Sequence, residues 1–429
     1  MQKVIKKRCG ALAKQLGCDA AVIIFAANPA PRNRDIYYPY RQESNFYYLT
    51  GFEEKNSVFV LKTTRTGYER VMFCESLDAE EAKWVGGSLG PKGAKEAFDL
   101  DHSFDITALN KKLADYLADT KNIFCLSKSR AHAQGLMQKI FTAADLKTKK
   151  THELDPILAE MRLYKDKHEL EIMSEVADIS SLSHINAMRR CRPGMFEYEI
   201  EALLLEGFVS QGCRDVAYGS IVAAGKNACT LHYTANKAQL NSADLLLVDA
   251  GAELDCYASD ITRTYPVSGK FSPEQKAIYE IVLLAQHKII EAAKPGVAWD
   301  TLANIAALEI TIGLINLNIL TGDAAKIVKR NGYKEYYMHG FGHWLGLDVH
   351  DVGSYKNKDG TSRTLQDGMV FTVEPGIYIA SDAKNIDKKW HNIGVRIEDD
   401  IAIMNGKAQV LTAAVPKEVA HLEHLVGSF

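Results

Sequence analysis

Carboxylates set within strongly apolar, strand-like segments are the feature that most constrains this chain. Asp249 ends the run LLLV, and Asp260 follows it after a turn near residue 255. The segments GMVFTVEPGIYI and GVRIEDDIAI place Glu374 and Glu398 inside two further predicted strands. Because an isolated carboxylate is costly to bury, we expect something cationic to face these residues.

Each carboxylate also has a simpler interpretation. A single buried aspartate is usually a hydrogen-bonded structural residue. Two aspartates on the facing strands of one hairpin, as predicted for Asp249 and Asp260, can converge on one face and favour a metal site instead. Glu398 could belong to a solvated acidic end, since Asp399 and Asp400 follow it. That interpretation suits Glu374 less well, because its segment is otherwise uniformly apolar.

Histidines are grouped in the same part of the chain. The segment YYMHGFGHWLGLDVHDVG holds His339, His343 and His350, and LHYTAN supplies His232. A zinc-protease HExxH motif would need a glutamate after the first histidine and an intact helix. Gly340 stands in place of that glutamate, and the surrounding glycines disfavour a helix. We therefore reject the HExxH interpretation and expect one histidine to join the carboxylates as a ligand.

The charge of this ligand set predicts which ions it holds. A ligand set of carboxylate oxygens with one imidazole is typical of Mn²⁺ and similar divalent ions. It is not typical of a zinc site, in which thiolates bind the metal. Four carboxylates carry about four negative charges, which two divalent ions would balance. Paired ions can share one hydroxide and stabilise a tetrahedral intermediate. The sequence therefore favours two metal ions over one.

Length and composition predict two domains and a small partner. A chain of 429 residues is too long for one ordinary domain, and we place the boundary near residue 160, giving segments 1–160 and 161–429. The net charge of −3 and the lack of a basic, aromatic-rich run argue against nucleic acid. No run approaches the roughly 20 apolar residues of a membrane span. The expected partner is a small molecule, a peptide or another copy of the chain.

The cysteines and the N-terminus predict a cytoplasmic location. The eight cysteines are scattered and include no CxxC pair, which is typical of reduced core thiols. The first residues, MQKVIKKRCGALAKQLG, lack the apolar core of a signal peptide and predict an amphipathic helix.

Helix signals divide the second domain into related parts. Asp166 and Glu169 form a predicted capping box for a long helix that ends before Pro193-Gly194. Ser272 and Gln275 form another before a helix that ends at a second Pro-Gly. The segments CRPGMFEYEIEALL and AKPGVAWDTLANIA are thus a weak repeat, which predicts two related halves with a pocket between them. Alternatively, Pro-Gly simply ends each helix.

These residues resemble a known family. VDAGAELDCYASDITRTYPVSG, HGFGHWLGLDVHDVG, VEPGIYI and GVRIEDD are similar to segments of the pita-bread metallopeptidases: aminopeptidase P, prolidase and methionine aminopeptidase. YYPYRQESNFYYLTGFEE resembles the N-terminal domain of aminopeptidase P. The resemblance implies an α/β (α+β) fold: a creatinase/aminopeptidase P-type α/β domain, then a pita-bread catalytic domain with pseudo-two-fold halves.

The resemblance also implies a dinuclear centre, usually of manganese in this family. Asp249 would bind one metal, His343 and Glu374 the other, and Asp260 and Glu398 both. A hydroxide bridging the metals would attack the carbonyl carbon of the first residue of a peptide. This attack would break the bond before a proline in second position. Homodimers and homotetramers both occur among such enzymes.

Further roles follow from the same resemblance. Glu374 would handle the proton of the attacking hydroxide, and His232 and His350 would stabilise the oxyanion. Arg396 would hold the carboxylates through its planar guanidinium. The substrate-binding residues would be four: His339 and Tyr218 near the proline ring, and, in the N-terminal domain, Trp84 and Asp35, the latter reaching a neighbouring subunit.

Three other interpretations compete with that of an Xaa-Pro aminopeptidase: two other peptidases and one inactive protein. Prolidase shares every metal ligand but takes only dipeptides, and the YPYRQ…YLTGF segment argues against it. Methionine aminopeptidases generally lack this N-terminal domain. A catalytically inactive, peptide-binding member of the fold is disfavoured because all five ligands are present. We therefore expect a metal-dependent aminopeptidase acting on peptides with proline at the second position.

Overall fold

The computed structural model describes residues 1–127 and 149–429. These residues form two compact units, Met1–Met161 and Arg162–Phe429. No cis peptide bond occurs among the described residues. No helix of the described chain is long and apolar enough to cross a membrane.

The N-terminal unit is built on a mixed six-stranded sheet. β1 lies near its middle and is buried along its whole length, which accounts for its uninterrupted apolar sequence AAVIIF. The strands are β1 (Ala20–Phe25), β2 (Pro31–Asn33), β3 (Ile36–Tyr37), β4 (Val58–Thr63), β5 (Tyr68–Cys74), β6 (His102–Asp105), β7 (Asn122–Cys125) and β8 (Lys150–Glu153). The sheet order is β6-β5-β4-β1-β7-β8, and β2 pairs only with β3 in a separate hairpin.

Helices accompany this sheet. They are α1 (Gln2–Leu16), α2 (Ser44–Thr50), α3 (Ala79–Val85), α4 (Gly90–Phe98), α5 (Leu109–Tyr116) and α6 (Asp155–Leu163). The predicted amphipathic helix at the N-terminus is confirmed as α1, which buries Ile5, Cys9 and Leu12 on one face. The last two residues of α6 belong to the second unit.

The C-terminal unit contains two pairs of helices. α7 (Lys167–Arg190) and α8 (Glu197–Ser210) form the first pair, and α9 (Pro273–Ala292) and α10 (Trp299–Asn316) form the second. Both predicted capping boxes are confirmed, at the starts of α7 and α9. They could be predicted because a cap depends only on residues within one turn.

A matching Pro-Gly turn joins the helices of each pair. Gly194 and Gly296 adopt φ values of 90° and 87°, which glycine reaches without a steric cost. Their N–H groups donate to the carbonyls of Leu240 and Leu365, at 2.9 and 2.8 Å. The two halves therefore repeat a complete local structure, which favours the repeat over the interpretation that Pro-Gly merely ends helices.

Short antiparallel strands complete the C-terminal unit. They are β9 (Asp215–Val216), β10 (Ile221–Ala224), β11 (Leu245–Asp249), β12 (Ala252–Leu254), β13 (Tyr257–Ala258), β14 (Thr262–Pro266), β15 (Val370–Val373), β16 (Gly376–Ile379), β17 (Ile393–Arg396), β18 (Asp399–Met404) and β19 (Lys407–Val410). They form the sheets β10-β11-β14, β13-β12-β9, β15-β18-β19 and β16-β17. Two short helices, α11 (Ala324–Lys329) and α12 (Val419–Leu425), also belong to this unit.

Candidate metal centre

The predicted ligands lie where strands end rather than within them. Asp249 is the last residue of β11, and Asp260 precedes β14. Glu374 separates β15 from β16, and Glu398 separates β17 from β18, so the prediction that the last three lie inside strands is wrong. Breaks between strands let the backbone turn, and carboxylates from different sheets can then converge.

The carboxylates converge around His343. Its Nε2 lies 3.4 Å from Asp260 Oδ2 and 3.6 Å from Glu374 Oε1. Ligand atoms of Asp260, His343 and Glu398 all lie within 4.8 Å of one another. Asp249 adjoins this group through the Tyr218 hydroxyl, whose oxygen is 2.6 Å from Asp249 Oδ1 and 2.5 Å from Asp260 Oδ1. Five dispersed residues thus form one cluster, in which Asp249, Asp260 and Glu398 are buried and His343 and Glu374 are partly buried.

Arg396 is the permanent cation beside the cluster. Its side chain is buried, and Nη2 donates to Asp249 Oδ2 at 2.5 Å. Its Nη1 donates to the Tyr378 hydroxyl at 3.0 Å, and Nε donates to Thr262 Oγ1 at 3.0 Å. Thr262 in turn donates to Glu398 Oε2 at 2.5 Å. One guanidinium therefore orients two of the four carboxylates, one directly and one through Thr262.

One arginine does not offset the negative charge of the cluster. Burial and the neighbouring Asp260 carboxylate raise the pKa of Asp249, although Arg396 opposes this. Burial raises the pKa of Glu374 to about 7. Burial, with the charges of Asp260 and Glu374, holds the pKa of Glu398 well above its usual range. The site thus disfavours its own negative charge, as a site shaped for cations does.

His343 is held with one ring nitrogen toward the carboxylates. Its Nδ1 lies 3.0 Å from the Trp344 carbonyl oxygen, and a proton on Nδ1 would leave Nε2 free to bind a metal. Its backbone N–H donates to Thr372 Oγ1 at 3.1 Å. Burial lowers the pKa of His343, but the hydrogen bond and charge of Asp260 outweigh this and raise it to about 9. Carboxylate oxygens with one oriented imidazole fit divalent metal ions.

A cavity of about 360 Å³ opens beside the cluster. Besides the five predicted ligands and Arg396, the residues that line it are Tyr218, Gly219, Ile221, Leu231, His232, Thr234, His339, Val349 and His350. The structure therefore brings together every predicted site residue of the C-terminal unit. The His343 and His350 rings meet edge to face, with centroids 4.4 Å apart.

His339 and Tyr378 form one side of this site. His339 Nε2 lies 2.8 Å from the Tyr378 hydroxyl oxygen, which also accepts from Arg396. Burial lowers the pKa of His339 to about 4, so its ring is neutral at pH 7. Sequence reasoning did not select Tyr378, because a tyrosine in the strand GIYI is equally typical of a core residue. Its position four residues after Glu374 was the available signal.

Trp84 and Asp35 lie in the N-terminal unit. Trp84 is in α3 and is 87% exposed, an unusual state for a tryptophan. Asp35 lies between β2 and β3 and is also exposed. The predicted roles of both residues in substrate binding stay predictions.

The acidic run after Glu398 is buried, so the interpretation of a solvated end is wrong. Asp399 is fully buried and accepts hydrogen bonds from Arg263 Nη2 and Lys417 Nζ, both at 2.7 Å. Asp400 is also buried, and its Oδ2 accepts from the backbone N–H of Asp260 at 3.1 Å. Asp400 thus holds the backbone at Asp260, and Arg263, the partner of Asp399, donates through Nη1 to the Glu398 carbonyl.

A second buried ionic cluster supports the segment of His343 and His350. Asp351 accepts from Arg162 Nη2 at 2.5 Å and from Lys165 Nζ at 3.0 Å. Its backbone N–H donates to the Trp344 carbonyl at 2.9 Å. These contacts close the turn that places His350 beside His343.

We expect the metal-free protein to lose stability as pH rises from 6.5 to 9. His343 has a folded pKa of about 9, above the unfolded value of 6.5, so its contribution is complete below pH 6.5 and is lost toward pH 9. The raised pKa of Glu374, about 7, has the same sign but acts at lower pH, from 4.5 toward 7. A shift of this size in His343 corresponds to about 3 kcal/mol.

Urea unfolding with a chelator at several pH values measures this loss. Metal binding requires deprotonated ligands, so the added stability from Mn²⁺ should grow over the same interval. A metal-free midpoint that stays constant or rises between pH 6.5 and 9 would contradict the prediction.

The fold and the site together define a metal-dependent peptidase, and the sequence comparisons agree. Residues 171–405 match the model of metallopeptidase family M24, and residues 5–124 match that of the aminopeptidase P N-terminal domain. The chain belongs to metallopeptidase family M24.

Relatives are similar over nearly the whole chain. The Xaa-Pro aminopeptidase of Haemophilus influenzae is 41% identical, covering 96% of this chain and 94% of its own, and that of Escherichia coli K12 is 38% identical, covering 98% and 97%. The structure of Pseudomonas aeruginosa aminopeptidase PepP matches with a TM-score of 0.94 at 42% identity, covering 99% of this chain and 98% of its own. The predicted fold class is confirmed.

Proposed function

We propose that this protein is a metal-dependent aminopeptidase that releases the first residue from peptides with proline in second position. The observation that carries the proposal is the cavity in which four carboxylates, four histidines and Arg396 converge. A likeness to Xaa-Pro aminopeptidases along nearly the full length of both chains supports this activity over that of a dipeptidase.

We assign the metal ligands to the residues whose buried charges need cations. They are Asp249, Asp260, His343, Glu374 and Glu398. Two divalent ions would balance the four carboxylates, and the oxygen-rich ligand set suits manganese. When bound, such ions lower the pKa of water and polarise a substrate carbonyl.

The residues of the chain supply the proton transfers and the orientation. Glu374, which lines the cavity, takes a proton from the attacking water on its carboxylate and returns it to the departing nitrogen. His232 and His350 line the cavity and donate ring N–H groups to the peptide carbonyl. Burial lowers the pKa of His350, so its imidazole is neutral at pH 7. Arg396 keeps Asp249 in place.

Specificity for proline has a physical basis in its ring. A proline in second position offers no backbone N–H, so recognition depends on surfaces that accept the ring itself. We assign this surface to Tyr218 and to the neutral His339, which line the cavity. Tyr378 holds His339 at 2.8 Å and belongs with them.

We propose that the chain assembles as a homodimer or homotetramer, with Asp35 and Trp84 completing the substrate site. The hairpin around Asp35 exposes Ile36 and Tyr37 by 53% and 56%, and Trp84 and Val85 are exposed on α3. Exposed apolar groups of this kind mark interaction surfaces. Sedimentation of the purified protein tests the assembly, and a monomer at micromolar concentration would oppose it.

We place the protein in the cytoplasm. All eight cysteines are free thiols, and five of them are buried. Reduced thiols in a chain of this size are typical of a reducing compartment. Fractionation of the source cells tests this location.

A peptide panel with added Mn²⁺ tests the activity. We expect release of the first residue from Xaa-Pro-Yaa-Zaa peptides and little or none from matched Xaa-Ala-Yaa-Zaa peptides. The alanine peptides are the control, because they differ only in the ring that the cavity is proposed to accept.

Two outcomes of the panel would contradict the proposal. Hydrolysis of Xaa-Pro dipeptides without hydrolysis of longer peptides would make the protein a prolidase. Equal rates on proline and alanine peptides would leave an aminopeptidase that does not select proline.

A further inference from the structure

Glu197, the first residue of α8, is a fully buried carboxylate that accepts four hydrogen bonds. One oxygen accepts from the Ala224 N–H at 2.8 Å and from Asn227 Nδ2 at 2.9 Å. The other accepts from the Tyr233 hydroxyl and the Ala238 N–H, both at 2.8 Å. All four donors are uncharged. Only the Tyr233 hydroxyl could also accept a hydrogen bond. Such a set of donors satisfies both carboxyl oxygens within the protein.

The four donors belong to one irregular segment, residues 224–238. Ala224 is the last residue of β10, a short turn of helix follows it, and residues 230–238 have no helix or strand, so no ladder fixes their conformation. Ala224 and Ala238 stand at its two ends, and both bind the same carboxylate. His232, which lines the cavity, lies between them and is exposed. Glu197 therefore closes the base of the loop that carries His232.

The other half of the unit has a different residue at the matching position. The N–H groups of Glu197 and Trp299, each the first residue after its turn, donate to the carbonyls of Ala238 and Arg363. Trp299 packs against Trp344, with ring centroids 4.5 Å apart, next to His343. Both positions thus support a segment with a site histidine, one by aromatic packing and one by hydrogen bonds.

We propose that Glu197 is a positioning residue that keeps His232 directed at the substrate carbonyl. The proposal rests on the proposed function, because it takes from it the role of His232. Glu197 itself touches neither the cavity nor the ligands. Its effect is transmitted through the loop, and above all through Tyr233, the neighbour of His232 in sequence.

Glu197→Gln tests this proposal with little change in size. The amide replaces one acceptor by a donor, which then faces two donors. We expect kcat to fall by about tenfold or more, as for residues that orient catalytic groups, while the metal content stays unchanged. Tyr233→Phe removes one of the four hydrogen bonds and should cause a smaller fall in the same direction. If Glu197→Gln does not fold, Tyr233→Phe tests the proposal in its place.

A second substitution separates positioning from general loss of structure. In a His232→Ala background, Glu197→Gln should have almost no further effect on kcat, because the residue that it positions is gone. If Glu197 only stabilised the fold, the loss would be equal in both backgrounds, and the proposal would be overturned. Glu206→Gln on the same helix, where the side chain is exposed, is the control and should leave kcat unchanged.

Hydrogen exchange gives a measurement that does not depend on peptide hydrolysis. We expect Glu197→Gln to speed amide exchange in residues 225–238 and to leave α9 and α10 protected. Unchanged exchange in that segment, or faster exchange throughout the C-terminal unit, would overturn the proposal. If the wild-type protein did not cleave Xaa-Pro peptides, the proposed function alone would fail, and the exchange result would still decide the role of Glu197.

Discussion

Replacing Asp260 by alanine should abolish peptide hydrolysis and metal binding together. Asp260 Oδ2 lies 3.4 Å from His343 Nε2, and its ligand atom is within 4.8 Å of those of His343 and Glu398. Loss of a residue that merely orients a ligand already costs about 10- to 100-fold, so loss of the ligand itself should cost more. Elemental analysis after dialysis against Mn²⁺, with kcat/KM on an Xaa-Pro peptide, measures both effects.

Asp382→Ala is the matched control, because Asp382 is exposed and does not line the cavity. It should retain two metal equivalents and full activity. An Asp260→Ala protein that held two ions and cleaved Xaa-Pro peptides at the wild-type rate would falsify the assignment of the metal centre.

Glu374→Gln should lower kcat by about 100- to 10,000-fold, the range associated with a lost acid–base group. Glutamine keeps an oxygen at the same place but cannot accept the proton that the carboxylate takes. Glu374 lines the cavity, so its carboxylate can reach a bound peptide. KM should change little, because the cavity retains its shape.

Steady-state kinetics at saturating Mn²⁺ measure this split, and metal analysis shows whether the ions remain. Glu291→Gln, at an exposed position on α9, is the control. A kcat within a few-fold of wild type would show that another group carries the proton, while a variant without metal would make Glu374 chiefly a ligand.

The convergence of the four carboxylates could be predicted because their sequence setting is unfavourable without cations. Asp249 after LLLV and Glu374 after VFTV have no local partner that would stabilise a buried charge. The helix starts at Asp166 and Ser272 could be predicted because capping involves only neighbours in sequence. In each case the physical cause lies within a few residues.

Strand ends were less predictable, because apolar periodicity continues through them. Glu374 lies between β15 and β16, which belong to different sheets, although the sequence reads as one strand. The Glu374 N–H donates to Phe341 O at 2.7 Å instead of to a neighbouring strand of its sheet. A single sequence does not show that the Phe341 carbonyl lies beside the Glu374 N–H.

Buried ion pairs between distant residues were also missed. The sequence suggested that Asp399 is solvated. In the structure it accepts hydrogen bonds from Arg263, 136 positions earlier, and from Lys417. Glu197 was equally inconspicuous, since an acidic residue in the first turn of a helix is common. The donors that reveal its role follow 27 to 41 residues later.

With the ligands proposed above, bound metal would cross-link the halves of the C-terminal unit. Asp249 and Asp260 precede the second helix pair, whereas Glu374 and Glu398 follow it. The hydrogen bond from the Asp260 N–H to Asp400 Oδ2 likewise joins residues that are 140 positions apart. Closing a loop of about 100 residues removes about 4.7 kcal/mol of chain entropy from an unfolded state that keeps the link. Ions held by these residues would therefore link the two halves reversibly, and removal of the ions would lower the stability of the protein as well as its activity.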